Sequence, residues 1–160
     1  MPKLIKQDEC IDNSWVTLDK GVSPNENTQT ALIHVSSYQA SLETAGKPMG
    51  IWLDSSDNLA SLPSDLGSLA VIAINFPVFM DGRGFSLARQ IREQRDYRGE
   101  LRAIGNFMAD QVFYLKRCGF DCFEVADDVD LQTHLKLITA FRDTYQAAAD
   151  EPRPLFRRRG

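Results

Sequence analysis

A chain of 160 residues is one domain's worth, long enough to bury roughly two-thirds of its unfolded surface in a single core. Its 43% apolar and 25% charged residues are the proportions of a packed globule and exclude disordered and fibrous classes. The net charge of -4 excludes the basic footprint of a nucleic-acid binder, and the longest apolar run, Leu69–Ile74, is far short of the ~20 residues that a membrane helix needs.

The first ten residues, MPKLIKQDEC, lack an apolar signal core, so the chain is expected in the cytoplasm. Residues 1–30 are polar and punctuated by Gly21 and Ser23-Pro24-Asn25, which predicts an irregular N-terminal arm contributing one edge strand or hairpin around the Trp15–Leu18 patch. Regular patterning begins at ALIHV, Ala31–Val35, a strand followed by the capping residues Ser36 and Ser37 and a short helix ending at Gly46. GIWLD at Gly50–Asp54 is the second strand. Asp57 then opens a series, Leu59, Leu62, Leu66 and Leu69, whose spacing is helical despite Pro63.

AVIAI, Ala70 to about Asn75, is apolar without interruption, the mark of a strand buried on both faces. The loop FPVFMDGRG leads into a helix over about Ser86–Arg98 that ends at Gly99, with Arg89 and Glu93, and Arg92 and Asp96, at pairing distance. Strand four is Glu100–Gly105, helix four runs near Met108–Cys118 to Gly119, and strand five is Cys122–Val125. Asp127 or Asp128 caps a last helix striped by Leu131, Leu135, Ile138, Phe141 and Tyr145, which Glu151-Pro152 closes.

Five strand-then-helix units in alternation imply one α/β domain over residues 31–150, with a mainly parallel sheet of about five strands and a basic tail at 151–160. An open doubly wound sheet is the first expectation, and a half (β/α) barrel is the alternative. Glu100 and Arg102 alternate on one face of a strand, which favours a polar-lined barrel interior or an edge position. An uncovered sheet edge would also admit a homodimer.

Ligands gather at the carboxyl ends of parallel strands in both architectures. The window Asp81–Arg117 carries eight basic groups against five acidic ones, and within it the loop Asp81-Gly82-Arg83-Gly84 combines two glycines, a guanidinium and a helix start. That chemistry suits a small oxyanion held by Gly82, Arg83, Gly84 and Ser86, with Asn106 and Gln111 from the next loop as orienters. The alternative is that Asp81 and Arg83 pair to pin the turn. Asp110 is the candidate acid or base, and Arg102, with Glu100 or Asp110 as its ion-pair partner, is either a second clamp or part of a structural ion network. Phe76, Val78, Phe79 and Met80 make an apolar loop fit to dock a partner, or to lie under the chain's own helix layer.

Cys10, Cys118 and Cys122 are an odd set without metal-ligand or C-x-x-C spacing, and His34 and His134 add no fixed pattern, so no metal and no disulfide framework are expected. No dinucleotide, P-loop, nucleophile-elbow or iron–sulfur motif is present, so no cofactor follows from the motifs.

The runs D-G-R-G-F-S at Asp81–Ser86, G-E-L-R-A at Gly99–Ala103, D-Q at Asp110–Gln111 and R-C-G-F-D at Arg117–Asp121, with GIWLD and PLFRRR, resemble a bacterial family of unknown function. That family is commonly labelled an oxidoreductase of sulfite reduction, and its genes usually lie beside sulfite reductase and phosphoadenylylsulfate reductase. Phe85 stands where the family has Tyr and Asn106 where it has Asp, so neither a phenol nor a carboxylate is essential there. The resemblance implies an accessory role in assimilatory sulfite reduction, with the sulfite reductase hemoprotein as partner. The alternative is an oxidoreductase or other enzyme acting on a small anionic substrate.

Overall fold

The computed structural model describes residues 2–25, 30–44, 50–78, 81–128, 130–139 and 148. They form an α/β fold whose sheet has eight strands rather than about five: β1 (Lys3–Lys6), β2 (Glu9–Asp12), β3 (Val16–Thr17), β4 (Ala31–His34), β5 (Gly50–Asp54), β6 (Val71–Phe76), β7 (Glu100–Gly105) and β8 (Cys122–Val125). Among the described residues the α-helices are α1 (Tyr38–Thr44), α2 (Arg83–Gln94), α3 (Val112–Arg117) and α4 (Leu131–Thr139). Phe79, Met80, Phe141, Tyr145, the Glu151-Pro152 stop and the basic tail lie outside the described residues.

The strand order is β2-β1-β8-β7-β6-β5-β4-β3. From β3 to β8 each strand lies parallel beside its predecessor. Right-handed crossovers in that order lay every helix on one face, and the sheet curls into a half-barrel. A doubly wound sheet needs a reversal of order, which these strands lack.

Strand register separates the two faces. Ile51, Ile72 and Leu101 are neighbours, as are Leu53, Ile74, Ala103 and Phe123, and they meet Leu87, Ala88 and Ile91 of α2 and Val112 and Leu115 of α3 in the main core. Leu87 and Ile91 are at most 3% exposed. Each such side chain contributes about 1.5–3 kcal/mol, which anchors α2 and the loop that feeds it. Trp52, Ala73 and Arg102 share the opposite, inner face with Leu32, Val71 and Ile104. Burial on both faces is why β6 reads as unbroken apolar sequence.

The arm is part of the sheet. β1 and β2 form a hairpin paired antiparallel to β8, while β3 pairs with β4 at the far edge. Between them Asn13 and Trp15 cross the inner face, where Trp15 packs on the second core cluster. The interior of the half-barrel is thereby filled. The hairpin turns through Gln7 and Asp8, both at positive φ (51° and 64°), the backbone of a two-residue turn that usually carries Asn-Gly. Its outer strand β2 is exposed throughout, and the charges of Glu9 and Asp12 disfavour pairing with another edge.

Three helical segments depart from expectation. Between β5 and β6 there is only a single 3-10 turn, Leu59–Ser61, because Leu62 before Pro63 is extended (ψ 145°). Leu62, Leu66 and Leu69 are still buried, so their spacing served the core without a helix. Helix α2 begins at Arg83 and ends at Gln94, where Asp96 (φ 48°) takes the left-handed position expected of Gly99. At the start of α4, Asp130 rather than Asp127 or Asp128 caps: its Oδ1 accepts the Gln132 N–H at 3.0 Å.

Candidate functional site

The carboxyl ends of β4, β5, β6 and β7 bring four loops to one rim. Ser55 hydroxyl donates to Asp81, and Arg83 grips the same carboxylate with Nε at 2.9 Å and Nη2 at 2.7 Å, while its backbone N–H donates at 3.1 Å. The Arg83 hydrogen bonds, then the Ser55 one, hold the Asp81 carboxyl well below the usual carboxylate range. The pair ties the β5 loop to the first turn of α2. It also sets a carboxylate against the guanidinium, though the Arg83 side chain stays 65% exposed.

The depressed Asp81 value has a stability consequence. A carboxyl whose folded value lies below its unfolded value of about 4 stabilises the fold above that pH, and the contribution is lost as pH falls through and below it. Asp81→Asn should therefore flatten the loss of urea resistance between pH 5 and pH 3 relative to wild type. An unchanged slope would show that Asp81 is not held as described.

The glycines of the loop have different tasks. Gly84 is buried, and a Cβ there would lie 2.6 Å from the Phe76 ring, so this glycine lets α2 pack against β6 rather than cradle a ligand. At Gly82 an added Cβ would meet nothing within 4 Å. Ser86 is exposed on α2. Asn106 is engaged, its side chain donating to the Pro77 carbonyl at 3.0 Å and its backbone N–H to Phe76 at 2.7 Å. Gln111 accepts the Met108 N–H at 2.9 Å, and Asp110 is exposed in the 3-10 turn Ala109–Gln111 that precedes α3.

Arg102 does not join this rim. It is 1% exposed on the inner face, donating from Nε to Glu100 at 2.8 Å and from Nη1 to Asn13 at 3.2 Å, with its guanidinium 5.9 Å from the Trp15 ring centroid. Glu100 also accepts Lys6 Nζ at 2.6 Å, and Asn13 donates to Glu124 at 2.8 Å. Burial pushes the Glu100 carboxyl up, but Lys6 and Arg102 outweigh it and hold the value below normal. Arg83 and Arg102 share no partner. Of the two readings of Arg102, substrate clamp or structural ion network, its contacts are those of a network that fastens the arm to the sheet.

Phe76, expected on a docking loop, is 1% exposed and forms the end of the core, with Phe85, Phe107 and Phe120 rings at 5.4, 6.4 and 5.9 Å. Among the described residues the exposed large apolar groups of this end are Val78, Met108 and Tyr114, at 56%, 50% and 58% exposure. Tyr114 stacks on Phe85 at 5.0 Å, so this shoulder continues the core outward.

The rim also holds a polar cluster that the sequence reading did not assemble. His34 ends β4, Asp54 ends β5, and Asp57 lies three residues on. Buried His34 sets Nε2 3.2 Å from Asp57 and Nδ1 2.8 Å from the Ser36 hydroxyl. Asp57 also accepts the Asp54 N–H at 2.8 Å, and Asn75 donates to Asp54 at 2.9 Å. Burial pushes Asp54 up, while hydrogen bonds from Asn75 and Lys20 outweigh it and hold it low. The legible signal was a polar residue closing each of two apolar strands, ALIH and GIWLD, at the end where barrels place their chemistry.

Among the described residues, His34, Asp54 and Asp57 have the donor set of a metal site, with ligand atoms within 4.8 Å of one another. The hydrogen bonds favour another use. Nδ1 accepts the Ser36 backbone N–H at 3.2 Å, which assigns the ring proton to Nε2 and its bond to Asp57. The Lys20 ammonium already meets Asp54.

At the opposite end the described residues outline a cleft of about 690 Å³ lined in part by Asp8, Arg92, Arg98, Lys116 and Asp121. Arg92 donates there to the carbonyls of Gly119, Tyr97 and Gly99 at 2.8–2.9 Å, which makes it a clasp between α2 and the starts of β7 and β8. Cys118 and Cys122 are both buried. Burial, then Glu100, pushes the Cys122 thiol up to about 12, so it is unreactive near neutral pH.

No curated protein and no solved structure matches the chain. The family described as "Bacterial protein of unknown function (DUF934)" matches residues 50–156, which take in β5 to β8, the Asp81–Arg83 lock, the Glu100–Arg102 pair and the apolar shoulder. With well over half its length matched, this chain belongs to that bacterial family.

Proposed function

We propose that the protein is an accessory of assimilatory sulfite reduction that docks on the sulfite reductase hemoprotein through its apolar shoulder and takes a small oxyanion at the Arg83 rim. The observation that carries this reading is the outward continuation of the core at the carboxyl end. Val78, Met108 and Tyr114 are all at least half exposed there, beside a guanidinium that retains donors beyond those given to Asp81. Apolar side chains at that exposure are the anchors of a docking surface when a charged group flanks them. The resemblance to sulfite-reduction proteins supplies the partner.

The test is capture of the reductase hemoprotein by the intact chain under reducing, low-salt conditions. A Val78→Asp/Tyr114→Ala double variant should weaken capture at least about tenfold, the cost of removing one anchor of about 1.4 kcal/mol, while leaving thermal stability nearly unchanged. Calorimetry with sulfite, sulfate and phosphate addresses the rim, and Arg83→Ala should abolish any heat seen. Absence of capture by wild type would overturn the docking reading, and absence of anion binding at millimolar concentration would remove the oxyanion.

The enzymatic alternative, with Asp110 as acid or base and Arg83 gripping an anionic substrate, rests on the exposure of both groups at the same end of the sheet. It requires turnover to vanish in Asp110→Asn.

A further inference from the structure

The rim cluster holds an arrangement that neither docking nor anion binding uses. Ser36 is exposed in the turn after β4, with its hydroxyl 2.8 Å from Nδ1 of the buried His34 ring. The opposite ring nitrogen meets the Asp57 carboxylate at 3.2 Å. That carboxylate is fixed by the Asp54 N–H at 2.8 Å, and the ring is held edge to face by Trp52, centroids 4.5 Å apart. Nδ1 carries the lone pair, because it accepts the Ser36 backbone N–H, and Nε2 carries the proton.

Hydroxyl, base and orienting carboxylate within hydrogen-bond reach are the parts of a base-activated nucleophile. Here the two ring nitrogens exchange the roles they have in the chymotrypsin arrangement. A bare cap of the 3-10 turn Val35–Ser37 would account for the Ser36 N–H on Nδ1. It would not require the second ring nitrogen to face a carboxylate that is itself pinned by backbone.

We propose that Ser36 is a nucleophile activated by His34 and Asp57, acting on small carboxylic esters or thioesters. Ser36 Oγ forms a bond to the acyl carbon as the bond to the leaving oxygen or sulfur breaks. The hydroxyl proton passes to Nδ1 and from there to the leaving group, while Asp57 stabilises the transient imidazolium. Water then repeats the sequence on the acyl-serine, releasing the acid and restoring the hydroxyl. The net reaction is hydrolysis. It involves no residue of the apolar shoulder, so it stands or falls separately from the docking reading.

The test uses the full chain with a fluorophosphonate probe, which bonds to an activated serine oxygen and expels fluoride. Intact mass should show one adduct, and fragmentation should place it on Ser36. Ser36→Ala, at an exposed position, should remain folded and take no label. Asp57→Asn should slow labelling by about a hundredfold or more, because the ring loses the carboxylate charge that stabilises its imidazolium. With p-nitrophenyl acetate the wild type should give a burst of about one nitrophenolate per chain, absent in Ser36→Ala. An unlabelled wild type, a label on Ser37, or labelling that Asp57→Asn leaves unchanged would overturn the proposal.

Discussion

Replacing Arg102 with methionine should destabilise the protein by about 3 kcal/mol, the low end of the cost of removing one member of a buried ion pair, because the other member keeps one partner. Glu100, 11% exposed at its side chain, would keep only Lys6, and Asn13 would lose a donor where the arm crosses the sheet. In a domain of this size the loss should lower the thermal midpoint by roughly 10 °C. Adding Glu100→Gln should recover at least about 1 kcal/mol, since both groups belong to one network. Urea unfolding of the two single variants and the double variant measures this. A loss below about 1 kcal/mol in Arg102→Met would mean that the guanidinium is solvated and free for a ligand.

Phe76→Ala should cost about 3–5 kcal/mol, the range for truncating a fully buried aromatic side chain. Three ring neighbours surround Phe76, and the missing Cβ of Gly84 admits its ring edge, so the cavity left by alanine has no side chain able to collapse into it. By contrast Tyr114→Ala, at a position 58% exposed, should cost less than about 1 kcal/mol. The pair distinguishes two accounts of the FPVF segment. If Phe76→Ala kept wild-type stability and lost only partner capture, the segment would be a docking loop and the core assignment would be wrong.

Much of the scaffold was legible because parallel strands buried on both faces leave an unambiguous apolar signature. Each of the five predicted strands lies within a residue of its observed limits. Polar Glu100 and Arg102 on one strand face allowed either a barrel interior or an edge position, and the strand order, with β7 between β6 and β8, excludes the edge. The arm was expected to add one edge strand or hairpin and it adds both, but their positions were not legible. Their strands are two to four residues long, and the turn places Gln7 and Asp8 in a conformation that sequence usually marks with glycine. The Leu59–Leu69 series misled because helical spacing and burial coincide there without helical backbone, which Pro63 forbids at Leu62.

Sequence by itself determined the fold class and the five-strand succession, since these depend on local patterns of polarity, chain-breaking residues and short separations, and it left the Asp81–Arg83 loop open between an anion site and a pinned turn. Tertiary structure decided which charged groups meet. Arg102 finds Asn13 across 89 positions, and His34 finds Asp57 across 23, pairings fixed by the crossing of the arm and by strand register. The physical reason is that a guanidinium or imidazole takes its role from its desolvation and its partner, and both are properties of the packed chain.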